Sequence, residues 1–96
     1  MDTRSHVTAA VRMASMHFDI PAVVIRGRNR TLRVAQARSF AYWVSRVNSS
    51  DSFPELGRIW KRDHTTIMSG VFAFSRFIKQ QRPWALEAHR VWLKTV

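Results

Sequence analysis

The apolar residues of this chain recur at helical spacing. Val7, Ala10, Val11, Ala14 and Phe18 fall at i, i+3, i+4, i+7 and i+11, with Arg12 and His17 off the stripe. That pattern predicts an amphipathic helix from about Val7 to Phe18. Asp19-Ile20-Pro21 breaks it, and Pro21 can open a short second helix through Val24. Ile20, Val23 and Val24 are expected to tuck under the first helix. Val34, Ala37, Ala41, Val44 and Val47 form the next stripe, with Phe40 and Trp43 beside it, and predict a third helix from about Val34 to Val47. Its polar side carries Gln36, Arg38, Ser39 and Arg46. Asn48-Ser49-Ser50-Asp51-Ser52 is turn chemistry and ends it.

The next stretch is more sharply punctuated. Ser52 and Glu55 have the S-x-x-E spacing of a capping box, and Pro54 falls in the first turn, where a missing N–H costs nothing. Phe53, Leu56, Ile59 and Trp60 line one side of this short helix. Lys61-Arg62 makes a tight turn. Asp63 offers a second N-cap, and Ile67, Val71, Phe74 and Ile78 trace one face of the helix that follows. Pro83 separates that helix from a last one, Trp84 to about Lys94. There, Leu86, His89, Arg90 and Leu93 share one side, while Ala85, Ala88 and Trp92 share its neighbour. The expectation is an all-α domain over residues 1–96, a compact bundle of about five to six helices around a central helix-turn-helix.

Composition adds a partner. The net charge is +10 on 96 residues, which points to a polyanion, most often nucleic acid. The basic residues are spread over a loop and several helices, so a membrane-binding helix with one basic face is a weaker reading. No apolar run is long enough to span a bilayer and no apolar stretch follows Met1, so a cytoplasmic, nucleoid-associated protein is expected. There is no cysteine, hence no disulfide framework and no thiolate metal site. His6 and His17 read as ordinary surface residues, and no metal or cofactor is expected.

Two places carry candidate chemistry. Arg26, Arg28, Arg30 and Arg33 crowd one segment with Gly27 and Asn29 between them. Such a loop is either solvated surface or an arm for a minor groove, where the potential is most negative. The other place is the start of the helix after the tight turn. Asp63, His64, Thr65 and Ser69 face away from the apolar stripe, and short polar groups there suit a major-groove reader. Asp63 can accept from the exocyclic amine of cytosine; His64 and Thr65 can meet thymine methyls and O4 edges. Asp63 can equally be a plain N-cap, because capping and base reading use the same oxygens. Consecutive helical residues diverge by about 100°, so Asp63 and His64 do not form a ligand pair or a catalytic dyad, and no enzyme is expected.

Arg62-Asp63-His64-Thr65-Thr66, preceded by the S-x-P-E-x-G of Ser52 to Gly57, resembles the C-terminal DNA-binding domain of the bacterial replication initiator DnaA. Ala37 to Val44 is similar to that family's PRQ-x-A-x-Y-L helix start, and Arg26 to Thr31 to its basic loop. The similarity covers roughly Val7 onward. It implies a Trp-repressor-like helix-turn-helix reading double-stranded DNA at the DnaA box through Asp63, His64 and Thr65. By the same resemblance Arg30 enters the minor groove, with Arg28 the next candidate. Thr31, Arg38, Ser39, Arg46, Lys61, Arg62 and Thr66 are expected at phosphates, and Arg33 adds positive charge. The chain departs from the family in several places. Ala37 and Ser39 replace the Pro and Gln of PRQ, and Leu32 stands where a basic residue is frequent. The turn is one residue shorter and lacks the family's glycines, which predicts a different approach angle for the recognition helix.

No G-x-x-x-x-G-K-[ST] is present, so the expectation is a DNA-binding regulator of replication initiation or transcription without ATPase activity. Two other classes stay open. An RNA-binding protein would interleave exposed aromatics with its basic loop, whereas the aromatics here follow core periodicity. A protein-interaction module would expose an apolar patch, for example around Phe77, Trp84 and Trp92. Trp84 and Trp92 are expected to pack, not to stack on bases.

Overall fold

The structure is a computed structural model and describes residues 2–95. Met1 and Val96, the outermost positions of the expected 1–96 domain, lie outside the described residues. Six helices follow in order: α1 Thr3–Phe18, α2 Ala22–Arg26, α3 Leu32–Val47, α4 Phe53–Trp60, α5 His64–Lys79 and α6 Pro83–Leu93. There is no strand among the described residues. The all-α expectation therefore holds, and α4–α5 is the helix-turn-helix.

Helix α3 is the hub, packed against every other helix. The sequence stripe shows only one of its faces. In the fold Phe40, Ala41, Tyr42, Trp43, Val44 and Ser45 are all buried in succession, because α1 covers one side and α5 the other. Aromatic edges tie the layers together. Phe40 meets Phe74 of α5 at 5.3 Å between ring centroids, Trp43 meets Trp92 of α6 at 4.8 Å, and Tyr42 meets Trp60 of α4 at 4.6 Å. Trp84 packs on Phe74 and Phe77, as expected of a core residue. Truncating Phe40 or Phe74 to Ala would cost roughly 3–5 kcal/mol, the usual range for a buried phenyl ring.

Several boundaries differ from the periodicity. Asp2 caps α1 by accepting from the Ser5 N–H at 2.8 Å, so that helix starts four residues before the apolar stripe does. Helix α2 runs on to Arg26 and fully buries Ile25, while Val23 is 76% exposed. Its inward face is thus set by Ile25 and Val24, not Val23. Helix α3 starts at Leu32, itself exposed, and Val47 at its far end also faces outward. Leu93 is exposed at the end of α6.

His6 is no ordinary surface residue. Its Nδ1 lies 2.8 Å from Asp51 Oδ2, and Thr3 donates to Asp51 Oδ1 at 2.9 Å, which ties α1 to the α3–α4 loop. The His6 contact, reinforced by the Thr3 and Ser49 hydroxyls, holds the Asp51 carboxyl below its usual range. A depressed carboxyl stabilises the fold above its unfolded-state pKa and loses that contribution as pH falls through the folded value.

Candidate nucleic-acid interface

The α4–α5 turn is built by capping at both ends. Ser52 accepts from the Glu55 N–H at 3.2 Å, and Glu55 accepts from the Ser52 N–H at 2.9 Å, completing the capping box. At the far end Arg62 N–H donates to Gly57 O at 3.0 Å and Lys61 N–H to Arg58 O at 3.4 Å, a Schellman closure. That closure needs a left-handed residue, and Lys61 supplies it at φ 56°, ψ 46°. The lysine thus adopts the conformation a glycine would favour. Gly57 is required for another reason. A Cβ there would come within 2.8 Å of Arg62 O and 3.3 Å of His64 Cα, so the bare backbone lets α5 start hard against α4.

The start of α5 presents the three proposed base readers together. Asp63, His64 and Thr65 are all exposed. Asp63 Oδ1 accepts from the Thr65 N–H at 2.8 Å and from the Thr65 hydroxyl at 2.6 Å. Those two bonds, hydroxyl first, hold its carboxyl below the usual range, so it is an ionised acceptor at neutral pH. Asp63 is therefore an N-cap. Only Oδ1 is engaged in this way; Oδ2 carries no hydrogen bond among the described residues. The cap thus occupies one oxygen of the carboxylate and leaves the other unengaged. Ser69 is also exposed along this helix.

The arginines from Arg26 to Arg46, with Arg62, divide into two sets. Arg28 and Arg30 are exposed on the α2–α3 loop. The others named as phosphate contacts are largely committed to backbone carbonyls. Arg38 donates from Nε to Ile25 O (2.8 Å), from Nη1 to Asn29 O (3.0 Å) and from Nη2 to Val24 O (3.3 Å). Arg62 donates to Arg26 O at 3.0 Å and to Gly27 O. Arg46 donates to Asp51 O and lies over the Phe53 ring at 4.6 Å. Arg33 donates to Phe18 O at 2.7 Å and covers that ring. Arg26 does the same for Ile59 O and Trp60. These carbonyls lie at or just beyond the ends of α1, α2 and α4 or in the loops between helices, where backbone acceptors lack helical partners.

The consequence for the site is mechanical. Arg38 reaches the base of the arginine loop from α3, and Arg62 reaches it from the helix-turn-helix corner. The loop bearing Arg28 and Arg30 is thereby fixed relative to α5. The remaining candidates are also placed. Thr31 donates its hydroxyl and its N–H to Asn29 Oδ1, tightening the loop before α3. Ser39 donates to Gln36 O at 2.9 Å, and Lys61 and Thr66 are exposed. Arg28, Arg30, Arg38, Ser39, Arg62 and Thr66 surround one concavity, with Tyr42 in its wall. Tyr42 was not singled out from the sequence. Its spacing was the available signal: it lies four residues after Arg38 and three after Ser39, on the same side of α3.

Among the described residues, no three His, Asp or Glu side chains gather as a metal ion would need, and no helix is long and apolar enough to cross a membrane.

Comparison with known proteins agrees with this geometry. The family described as the bacterial dnaA protein helix-turn-helix matches residues 7–72, from α1 into the first half of α5. The chromosomal replication initiator protein DnaA of Deinococcus deserti is 36% identical over 61 residues, which is 64% of this chain and 13% of that protein. The one from Mycobacteroides abscessus is 38% identical over 64 residues, 65% of the chain and 13% of the protein. That from Oleidesulfovibrio alaskensis is 27% identical over 77 residues, 80% and 17% respectively. The chain thus spans less than a fifth of the length of these relatives. With the match running through the loop and the capped turn into α5, this chain belongs to the bacterial dnaA helix-turn-helix family of DNA-binding domains.

Proposed function

We propose that the chain binds double-stranded DNA sequence-specifically at sites like the DnaA box and regulates replication initiation or transcription without hydrolysing ATP. The observation that carries this reading is the pairing of two surfaces: an exposed Asp63-His64-Thr65 turn on α5 beside a loop that holds Arg28 and Arg30 outward. Asp63, His64 and Thr65 read base edges in the major groove. Arg30, and next Arg28, enter the flanking minor groove. Lys61, Thr66 and Ser39 meet phosphates, which set position and register but not sequence. Arg38, Arg46 and Arg62 serve first as positioning residues, with Arg62 and Arg38 at the phosphate-facing edge. Such a domain would act at the nucleoid, in the cytoplasm.

The test is fluorescence anisotropy at one fixed salt concentration. One labelled duplex carries a DnaA box and the other the same bases scrambled. The proposal predicts clear preference for the box. Equal, salt-sensitive binding to both would contradict the box and leave a nonspecific DNA binder. Binding to neither would bring a protein-interaction role forward, and equal affinity for structured RNA would favour the RNA reading.

A further inference from the structure

The concavity between the arginine loop, α3 and α5 has one feature that the DNA-reading residues do not explain. Tyr42 is only 4% exposed, yet its Oη is buried with no hydrogen-bond partner among the described residues. Its ring is fixed on both sides. Trp60 meets it edge-on, and Gly70 of α5 packs so closely that a Cβ there would lie 2.4 Å from Tyr42 Cδ2. The hydroxyl is therefore held in place, and leaving a buried hydroxyl unpaired costs roughly 1–3 kcal/mol. Arg62 and Arg38 act on it through their charge, and Arg62 lies near enough to point an N–H toward Oη, but a guanidinium can donate and never accept. The Tyr42 proton thus faces cations and lacks an acceptor.

We infer that this concavity seats one phosphate group, and that Tyr42 Oη donates a hydrogen bond to it as an anchoring contact additional to the arginines. The surroundings have the chemistry an oxyanion needs. Arg28, Arg30, Arg38 and Arg62 supply positive charge, and Thr66 and Ser39 supply hydroxyls at the rim. Burial raises the Tyr42 pKa, with the two arginines opposing it, so the phenol stays protonated and able to donate at neutral pH. A phosphate oxygen would satisfy the hydroxyl and balance the guanidinium charge together. The phosphate can come from a DNA backbone or from solution. The DNA source rests on the function proposed above; the solution source does not.

Two arms separate these sources. In the first, inorganic phosphate is titrated against wild-type protein, with chloride at matched ionic strength as control, while the amide resonances of Gly27, Thr66 and Gly70 are followed. Saturable shifts with phosphate and not chloride are expected, and in Tyr42→Phe half-saturation should need roughly 10-fold more phosphate or higher. In the second, Tyr42→Phe is compared with wild type for duplex affinity. A loss of roughly 10-fold or more is expected, equal on box and scrambled duplexes, since a hydrogen bond to a charged group is lost and phosphate contacts carry no sequence information. Loss of duplex affinity assigns the seat to a DNA phosphate. Phosphate-dependent shifts with unchanged duplex affinity assign it to free phosphate. No phosphate-specific shifts and no loss of affinity would overturn the inference. The wild-type titration alone decides whether the concavity seats phosphate, even where the variant folds poorly. It would also survive a failure of box preference, which bears on the DNA reading alone.

Discussion

The two proposed contact surfaces, the start of α5 and the arginine loop, are held in opposite ways. The first turn of α5 is self-sufficient. Its cap, Asp63, bonds Thr65 two residues away, and its position follows from Gly57 and the left-handed Lys61 in the adjoining turn. The arginine loop has little local structure beyond the Asn29–Thr31 bonds. It is held by guanidiniums from elsewhere, Arg38 on α3 and Arg62 at the helix-turn-helix corner. Local capping therefore fixes the first turn of α5, whereas long-range hydrogen bonds fix the arginine loop. The difference also changes the meaning of the +10 charge. Five of the 16 cationic side chains, Arg26, Arg33, Arg38, Arg46 and Arg62, are built into the fold as carbonyl partners, so formal charge overstates what is ready for phosphate.

Breaking the long-range link should have the largest effect. Arg62→Ala leaves the Arg26 and Gly27 carbonyls without their partner, at a cost of roughly 1–3 kcal/mol in stability. It should also free the arm from α5. Thermal unfolding should show a lower midpoint, and anisotropy should show weaker binding to box and scrambled duplexes alike. A normal midpoint with weakened binding would instead make Arg62 a simple phosphate contact.

Changing the self-sufficient turn should alter sequence discrimination without unfolding the protein. Asp63→Ser retains a good N-cap but has a shorter side chain that no longer reaches a base edge. The melting midpoint should stay near wild type while box preference flattens. Asp63→Ala should flatten preference and also lower the midpoint. If Asp63→Ser keeps full discrimination, the aspartate is only a cap.

Arg30→Ala should have a smaller, site-dependent effect. Affinity should fall most where the flanking minor groove is narrow and A·T-rich, measured by anisotropy on duplexes with exchanged flanks. Equal loss on G·C flanks would reduce Arg30 to a general phosphate contact. The smallest effect concerns the corner itself. Lys61→Gly should raise stability by about 0.5–1 kcal/mol, because glycine adopts the left-handed conformation without a Cβ penalty. Its thermal midpoint should rise, with duplex affinity slightly reduced by the missing cation.

These contrasts also explain what could be read in the chain. The self-sufficient parts were legible: the capping box at Ser52 and Glu55, the Asp63 cap, and the Ile67-Val71-Phe74 stripe are all short-range patterns. The ends of α2 and α3 were not. Arg26 and Leu32 enter helices because tertiary partners, Ile25 burial among them, extend them past the local signals. Val47 fits a stripe by spacing and Val23 was expected under α1, yet both face outward, since apolar character and periodicity do not say where the cover stops. Least legible were the arginine roles. A guanidinium bound for a carbonyl on another helix has the same local sequence context as one bound for a phosphate; only the packing of α1, α2 and α4 around α3 separates them. Tyr42 was hidden for the same reason, as its isolation depends on Arg38, Arg62 and Gly70 converging from three elements.

The division of the arginines is tested most directly by the salt dependence of duplex binding in a matched pair of variants, Arg28→Ala and Arg33→Ala. Each removes one positive charge. Arg28 is exposed on the arm, whereas Arg33 is bonded to Phe18 O. Arg28→Ala is expected to lower the slope of log affinity against log salt by about 0.9, the loss of one cation that displaces counterions from the duplex. Arg33→Ala should leave the slope unchanged while lowering the melting midpoint. Equal reductions in slope, with Arg33→Ala as stable as wild type, would contradict the division.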